Sequence, residues 1–171
     1  SFDFLDDSLG KVNNSEIAFF KSKEDSMLRV RVEKEDQSSI RINSKKRTKQ
    51  LLFFPPFKGL ISDSFNLNTN HFAVDLVAKK GTKIKCIKDG AVIVSDWNPE
   101  TGYVIGIQHD ENFISFYKHC SFLLKKVGDV VSTGENIAII GNSGKLSSGP
   151  HLHLELWKNG SPLDPTNYIT F

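Results

Sequence analysis

The sequence has few of the features that mark membrane proteins, disulfide-rich secreted proteins or nucleic-acid-binding proteins. It contains no apolar run near the roughly 18–20 residues that a transmembrane helix requires, and its start lacks the pattern of a signal peptide. Only two cysteines occur in 171 residues, which excludes a disulfide framework. The formal net charge is +2, so the composition predicts no nucleic-acid partner. What remains is one globular domain with an appendage.

Residues 1–52 differ from the rest and are interpreted as an N-terminal extension or linker. A helix is predicted over about Glu24–Gln37, and a polar, basic stretch follows at 38–50. Because the chain starts at Ser1 rather than Met, we interpret it as a processed or trimmed piece. Attachment to a membrane or a partner through a missing N-terminal segment is one expectation from this interpretation.

Residues 53–171 are predicted to form a mainly β domain, an antiparallel sheet or sandwich-like unit. Short runs rich in Val, Ile and Phe are separated by turns rich in Gly, Asn and Asp. Thr82–Cys86 is predicted to pair with Ala91–Trp97 across the turn at Asp89-Gly90. Further strands are predicted at 103–109, 113–119, 130–131, 137–140 and 151–157, the first two of them as a hairpin. Cys86 and Cys120 lie in apolar runs and are expected to be free buried thiols, with a single bridge as the alternative.

The strongest chemical signal is the alternation of polar and apolar residues from His151 to Trp157. In a strand, the three leucines at 152, 154 and 156 face one side, while His151, His153 and Glu155 share the other. Packing explains the leucines but gives no reason for two imidazoles on the opposite face. That polar face is therefore predicted to line a site. Glu155 is interpreted as a carboxylate that either orients a ligand or simply faces solvent or the core.

A second segment, from His71 to Asp75, places two more polar side chains on one face if it is extended. The spacing alone is weak evidence, because short chance matches are common. A catalytic zinc site takes three protein ligands from His, Asp, Glu or Cys and keeps a fourth position for water. His71, Asp75 and one histidine of the 151–157 segment would supply such a set. Both His151 and His153 could in principle bind, but the better division gives His153 to the metal and leaves His151 free for proton transfer.

Two histidines remain outside these segments. His119 ends an apolar strand in phase with Tyr117 and is predicted to supply a second imidazole to the site. His109 lies at the edge of the turn at 110–112 and is predicted to be a surface residue.

Five motifs occur in order along residues 53–171. They are His71-x-x-x-Asp75, Tyr117-Lys118-His119, Val127-Gly128-Asp129-Val130-x-x-x-Gly134, Gly141-Asn142-Ser143-Gly144 and Gly149-Pro150-His151-Leu152-His153-Leu154-Glu155. Together they resemble the lysostaphin/LytM-type zinc metallopeptidases, which are peptidoglycan endopeptidases. The resemblance implies an antiparallel β-sheet with a groove walled by loops, in a bacterial protein of the periplasmic or extracytoplasmic cell envelope.

The resemblance also implies roles for individual residues. His71, Asp75 and His153 would hold one Zn2+ per chain, and His119 and His151 would be the catalytic pair. The predicted substrate-groove residues are Ser143, Gly144, Gly149 and Tyr117. The substrate implied is a peptidoglycan peptide, with a glycine bridge, a D,D cross-link and a free glycyl peptide all open.

Two other functions stay open from the sequence. The Val127–Glu135 stretch is similar to the turn region of biotinyl and lipoyl carrier domains, although no Met-Lys or Asp-Lys hairpin accompanies it. A non-catalytic wall-binding or regulatory member of the same family is the stronger alternative. Such proteins typically lack one or more site residues, whereas all five positions are filled here. One departure from the family is Ala73, where glycine is usual, and its methyl group narrows the space beside the metal.

Overall fold

The computed structural model describes residues 53–171; the helix and linker predicted within residues 1–52 lie outside the described residues. Three single-turn 3-10 helices occur in the described part, and none is long or apolar enough to cross a bilayer. All strand pairs are antiparallel, so the predicted mainly β fold is confirmed. The strands are β1 (Leu60–Asp63), β2 (Val74–Val77), β3 (Lys83–Lys85), β4 (Gly90–Asn98), β5 (Gly102–His109), β6 (Phe113–Leu123), β7 (Val130–Val131), β8 (Asn136–Ile140), β9 (His151–Lys158) and β10 (Ser161–Leu163).

The order of the strands brings three separate parts of the sequence side by side. The main path of the sheet runs β1-β2-β9-β6-β5-β4-β7, with β10 joined to β9 and β8 joined to β3 and β6. Strand β9 therefore lies between β2 and β6. In this register Asp75 of β2 and Lys118 of β6 both lie opposite His153 of β9. Residues far apart in sequence thus meet on neighbouring strands.

The predicted pairing of Thr82–Cys86 with Ala91–Trp97 is wrong. Strand β3 pairs with β8, whereas β4 pairs with β5 and β7. The reason is that the chain enters the core after β3 instead of turning back. Cys86 and Ile87 are fully buried there, and the backbone N–H of Cys86 donates to the carbonyl of Glu135. The second predicted hairpin, β5 with β6, is confirmed.

The core lies on the face of β9 that carries the leucines. Leu152, Leu154 and Leu156 have no exposed surface, as the alternation predicted. Each buried side chain of this size contributes about 1.5–3 kcal/mol relative to an exposed one. Cys86 and Cys120 belong to the same core as free thiols, which agrees with the sequence interpretation.

The prediction that His109 lies at the surface is wrong, because only 5% of it is exposed. It ends β5, and its ring contacts Phe53 edge-on at a centroid distance of 6.2 Å. Nδ1 donates to the carbonyl of Asp89 at 2.9 Å, and Nε2 accepts from the Ser115 hydroxyl at 2.8 Å. Burial lowers the pKa of His109 to about 4, so the imidazole is neutral at pH 7.

Candidate metal centre and flanking histidines

The structure brings His71, Asp75 and His153 together. One ligand atom from each lies within 4.8 Å of the others. Asp75 and His153 face each other across the β2–β9 pair, and His71 is held just before β2 by a backbone bridge to Asn66. The rings of His71 and His153 meet edge-on, with centroids 5.2 Å apart. The three side chains therefore form a compact cluster at one end of the β2–β9 ladder.

His71 presents one free ring nitrogen to this cluster. Its Nδ1 donates to the carbonyl of Ser64 at 2.8 Å, which leaves Nε2 as the acceptor atom. Nε2 is buried, lies 3.3 Å from Asp75 Oδ1 and makes no hydrogen bond to any described residue. A buried nitrogen lone pair without a donor normally costs free energy. A cation beside the carboxylate would satisfy it.

In His153 the two ring nitrogens have the opposite roles from those in His71. Its Nε2 donates to Glu155 Oε1 at 3.2 Å, and its Nδ1 lies 2.8 Å from Asp75 Oδ1. Burial disfavours a charged ring, but the hydrogen bonds to Asp75 and Glu155 outweigh it and raise the pKa of His153. Burial would likewise raise the pKa of Asp75, yet the His153 hydrogen bond and the nearby imidazoles lower it. The cluster thus offers an ionised carboxylate and two ring nitrogens.

This donor set fits zinc. Two imidazole nitrogens and one carboxylate oxygen make up a common ligand set of catalytic zinc sites, which keep a fourth position open. The orphaned Nε2 of His71 is the observation that favours a cation here. Each imidazole also has its second nitrogen bonded to an oxygen, as metal-binding histidines usually do.

His119 reaches the same region through an irregular backbone. Its φ is +63°, and the pairing of β5 with β6 shifts register between Tyr103 and Ile105. The ring centroid of His119 lies 4.9 Å from that of His151 and 5.7 Å from that of His153. The simple alternation that put His119 in phase with Tyr117 therefore fails at this bulge.

Tyr117 is not a groove residue, so that prediction is wrong. It is fully buried in the core, and its hydroxyl accepts a hydrogen bond from the backbone N–H of Ile87 at 3.1 Å. The regular part of β6 ends at Lys118, so Tyr117 points to the core face while the bulge turns His119 to the opposite side.

Burial also determines the charge of His119. It lowers the pKa of His119 to about 4, and the charges of His153, His151 and Lys118 act in the same direction. The hydrogen bond from Nδ1 to the carbonyl of Ser143, 2.9 Å long, opposes this only in part. The imidazole is therefore neutral at pH 7 and able to accept a proton.

His151 lies beside the His119 ring and near the Asp75 carboxylate. Its Nδ1 donates to the carbonyl of Gly149 at 2.8 Å, and its Nε2 lies 3.8 Å from Asp75 Oδ2. Only 9% of the residue is exposed. His119 and His151 thus form a pair of neighbouring rings, inclined at 50° to each other, beside the candidate metal ligands.

The loop at 141–150 holds both of these histidines through its own carbonyl groups. Ser143 supplies the acceptor for His119, and Gly149 supplies the acceptor for His151. The hydroxyl of Ser143 anchors the loop, since it donates to the Cys120 carbonyl at 2.6 Å and accepts from the Tyr103 N–H at 3.0 Å. This orienting role of the loop was not foreseen from the sequence, and substrate contact by Ser143 and Gly149 stays a prediction.

Close packing against the β4–β5 turn keeps this loop in place. Gly102 and Gly144 both have positive φ, +67° and +86°; Gly102 lies against Ser143, and Gly144 lies against the backbone of the turn at 100–102. A Cβ at Gly102 would overlap Ser143, lying 2.6 Å from its Cβ. The backbone N–H of His119 donates to the Thr101 carbonyl of the same turn at 3.0 Å. Gly144 therefore has a packing role, and its predicted contact with substrate also stays a prediction.

Lys118 is a residue of the site that sequence reasoning missed. It is buried, with 4% exposed, and its Nζ donates to Glu155 Oε1 at 2.6 Å. Its place in the Tyr117-Lys118-His119 motif was the only sequence signal. Burial alone would raise the pKa of Glu155, but the charge of Lys118 and the His153 hydrogen bond lower it well below its usual range. Glu155 is thus a buried, ionised carboxylate rather than a solvent-facing one.

Comparison with known proteins identifies the family. A family model described as peptidase family M23 matches residues 69–165, which include all five candidate metal and catalytic residues. The chain belongs to peptidase family M23. The resemblance to lysostaphin-type peptidases inferred from the motifs is thereby confirmed.

Two relatives of this chain are described as a peptidoglycan endopeptidase and as an activator of murein hydrolases. The peptidoglycan DD-endopeptidase ShyA of Vibrio cholerae is 36% identical over 94 residues, 55% of this chain and 22% of that protein. The murein hydrolase activator EnvC of Escherichia coli is 34% identical over 92 residues, 54% of this chain and 22% of that protein. The chain spans about a fifth of the length of these relatives.

Solved M23-like structures share the fold. A zinc-containing peptidase from Vibrio cholerae matches with a TM-score of 0.61 and 30% identity over 68% of this chain and 39% of that chain. The catalytic domain of lysostaphin from Staphylococcus simulans matches with a TM-score of 0.54 and 30% identity. That match covers 63% of this chain and 87% of the lysostaphin domain.

Proposed function

We propose that this M23 chain is a zinc-dependent endopeptidase that hydrolyses peptide cross-links of bacterial peptidoglycan. One observation carries the proposal. His71, His151 and His153 each make a hydrogen bond through one ring nitrogen to a carbonyl or carboxylate oxygen and present the other ring nitrogen to Asp75. In the neutral tautomer that has its proton on the first nitrogen, the second nitrogen carries a lone pair that a cation beside Asp75 would accept.

The metal ligands in this proposal are His71 through Nε2, Asp75 through its carboxylate and His153 through Nδ1. Zinc held there would act as a Lewis acid that polarises the scissile carbonyl and acidifies water. The three ligands come from neighbouring strands and the segment before β2, and the hydrogen bonds to Ser64 and Glu155 orient the two rings. Relatives described as a zinc-containing peptidase and a DD-endopeptidase support the assignment.

Proton transfer in this proposal belongs to His119 and His151. Each has Nδ1 bonded to a backbone carbonyl, so Nε2 is the atom that accepts or delivers a proton. Nε2 of His151 lies 3.8 Å from Asp75 Oδ2, and the ring centroids of His119 and His151 lie 4.9 Å apart. One imidazole activates water and the other assists the leaving amine.

The wider assignments follow from the same proposal. The substrate would be the peptide of peptidoglycan, which the description of ShyA as a peptidoglycan DD-endopeptidase supports, and the place of action would be the bacterial cell envelope. Residues 53–171 would be the peptidase domain and residues 1–52 an N-terminal extension. The matched segment corresponds to only a part of each full-length relative.

The test uses the purified full chain, metal analysis and mass spectrometry of fragments released from purified peptidoglycan. We expect about one zinc per chain. His71→Ala should lose both zinc and activity, whereas His119→Ala should keep zinc and lose about 10²- to 10⁴-fold in rate. His109→Gln is the matched control, because it removes a histidine outside the site and should leave both unchanged at pH 7. An empty site in zinc-replete medium would contradict the proposal.

A regulatory function is the second candidate, because one relative is described as a murein hydrolase activator. In that case the full chain would bind peptidoglycan and stimulate another hydrolase without releasing fragments itself. An endopeptidase inhibited by its N-terminal extension would also release no fragments as the full chain. Comparing the full chain with a 53–171 fragment in the same assay separates the two cases, because only the inhibited endopeptidase gains activity when residues 1–52 are removed.

A further inference from the structure

A buried carboxylate lies directly behind the candidate metal centre. Glu155 Oε1 accepts hydrogen bonds from Lys118 Nζ at 2.6 Å and from His153 Nε2 at 3.2 Å, while Oε2 accepts from Trp157 Nε1 at 2.8 Å. Glu155 is 3% exposed and Lys118 is 4% exposed. Three donors thus hold one carboxylate in a single orientation, with one of its oxygens turned to the His153 ring.

The presence of an ion pair at this depth requires an explanation. The free energy lost when two charges are removed from water often exceeds the free energy gained from their attraction. Replacing such a pair by apolar residues of similar volume is therefore often possible without loss of stability. The strands around it are already well supplied with apolar side chains, since Leu154 and Leu156 pack on the opposite face of β9. Stability therefore does not account for Lys118 and Glu155.

The geometry relates the pair to the tautomer of His153. A neutral imidazole carries its proton on one nitrogen, and the partner of that nitrogen decides which one it is. If the proton were on Nδ1, it would point at Asp75 and occupy the position that a metal needs. A carboxylate at Nε2 draws the proton to the far side of the ring.

We propose that Lys118 and Glu155 are positioning residues that keep His153 protonated at Nε2, with the Nδ1 lone pair directed at the metal position beside Asp75. This role rests on the proposed function, because directing a lone pair at the metal position matters only if the site binds a metal. Lys118 Nζ holds Oε1 and Trp157 Nε1 holds Oε2, so Oε1 stays aligned with Nε2 of His153. Lys118 belongs to β6 and lies opposite His153, which makes the β6–β9 pairing part of the metal site.

The test compares two double variants of the full chain that both remove the ion pair. Lys118→Met/Glu155→Met eliminates the charges and the acceptor together, whereas Lys118→Met/Glu155→Gln keeps an amide oxygen that can accept from Nε2. Zinc affinity is measured by competition with a chromophoric chelator, and circular dichroism checks the fold. Lys125→Met is the control, since it breaks an ion pair with Glu135 on the surface.

We expect Lys118→Met/Glu155→Met to bind zinc about ten- to a hundredfold more weakly than wild type, the usual effect of losing a partner behind a metal ligand. Lys118→Met/Glu155→Gln should fall within about fivefold of wild type, and Lys125→Met should equal it. Equal affinities for the two double variants would overturn the inference.

Nitrogen-15 NMR of the metal-free wild-type chain at alkaline pH gives a second readout that needs no variant. A proton on Nε2 of His153 supports the inference, and a proton on Nδ1 overturns it. Because this measurement involves no zinc, it decides the inference even if wild type takes up no metal, an outcome that would refute only the proposed function.

Discussion

Replacing Gly102 by Ala should separate the 141–150 loop from the turn that supports it. A Cβ at Gly102 would overlap the hydroxyl and the carbonyl carbon of Ser143. Rotating the hydroxyl away does not remove the overlap with the backbone, so the loop itself has to move. The carbonyl that moves is the one that accepts from His119 Nδ1. The substitution therefore affects both stability and the orientation of a catalytic candidate.

The magnitude has two parts. Gly102 has a φ of +67°, and placing a side chain in that conformation costs about 1–2 kcal/mol. Overpacking against Ser143 adds about 1–3 kcal/mol, for a total loss of about 2–5 kcal/mol in the free energy of unfolding. Weakening the Ser143–His119 hydrogen bond, worth about 0.5–1.5 kcal/mol, should lower the rate about two- to tenfold.

The matched control is Gly128→Ala. Gly128 also has positive φ, +92°, but a Cβ there would have no atom within 4 Å. Gly128→Ala should lose only the cost of the backbone conformation, about 1–2 kcal/mol in the free energy of unfolding, with no change in the rate of peptide hydrolysis. Urea unfolding measures the free energy, and the release of peptidoglycan fragments measures the rate. Equal losses in both variants would show that the contact between the turn and the loop has no energetic role.

Two further predictions concern groups outside the site. His109 should contribute a loss of about 3 kcal/mol in the free energy of unfolding between pH 6.5 and pH 4, because burial lowers its pKa from 6.5 to about 4 and the unfolded chain binds more protons in that window. In urea unfolding at pH 6.5 and pH 4, the loss should therefore be smaller for His109→Gln than for wild type by about this amount; equal losses would refute the cause. Burial also raises the pKa of Cys86 to about 11 and that of Cys120 to about 12. Iodoacetamide at pH 8 should therefore label both thiols only in urea, and rapid labelling of the native chain would contradict this burial.

The sequence predicted the β class and the ligand cluster because strict alternation is a local signal. The leucines of β9 could only be buried on one face, which left His151 and His153 together on the other. Asp75 followed from the same reasoning applied to a short extended segment. These features depend on a period of two residues and need no knowledge of distant contacts.

The errors arose where the backbone departs from that period or where partners are distant in sequence. The left-handed conformation of His119 reverses the phase of β6, so Tyr117 was assigned to the wrong side. The pairing of β3 with β8 instead of β4 depends on contacts more than 50 residues apart along the chain. Lys118 was overlooked because a lysine in a strand is usually solvated, and only the register with His153 reveals its buried partner.

The 141–150 loop orients one pair of histidines at the centre, and residues outside this loop orient the other pair. Hydrogen bonds to Ser64 and Glu155 orient the two candidate zinc-binding imidazoles, whereas hydrogen bonds to Ser143 and Gly149 orient the two histidines proposed to transfer protons. Under the proposed function, a molecule that presses on this loop alters turnover and leaves the bound ion in place. Metal retention and catalytic rate are then independent properties of one small domain, and changes confined to the loop adjust the second without sacrificing the first.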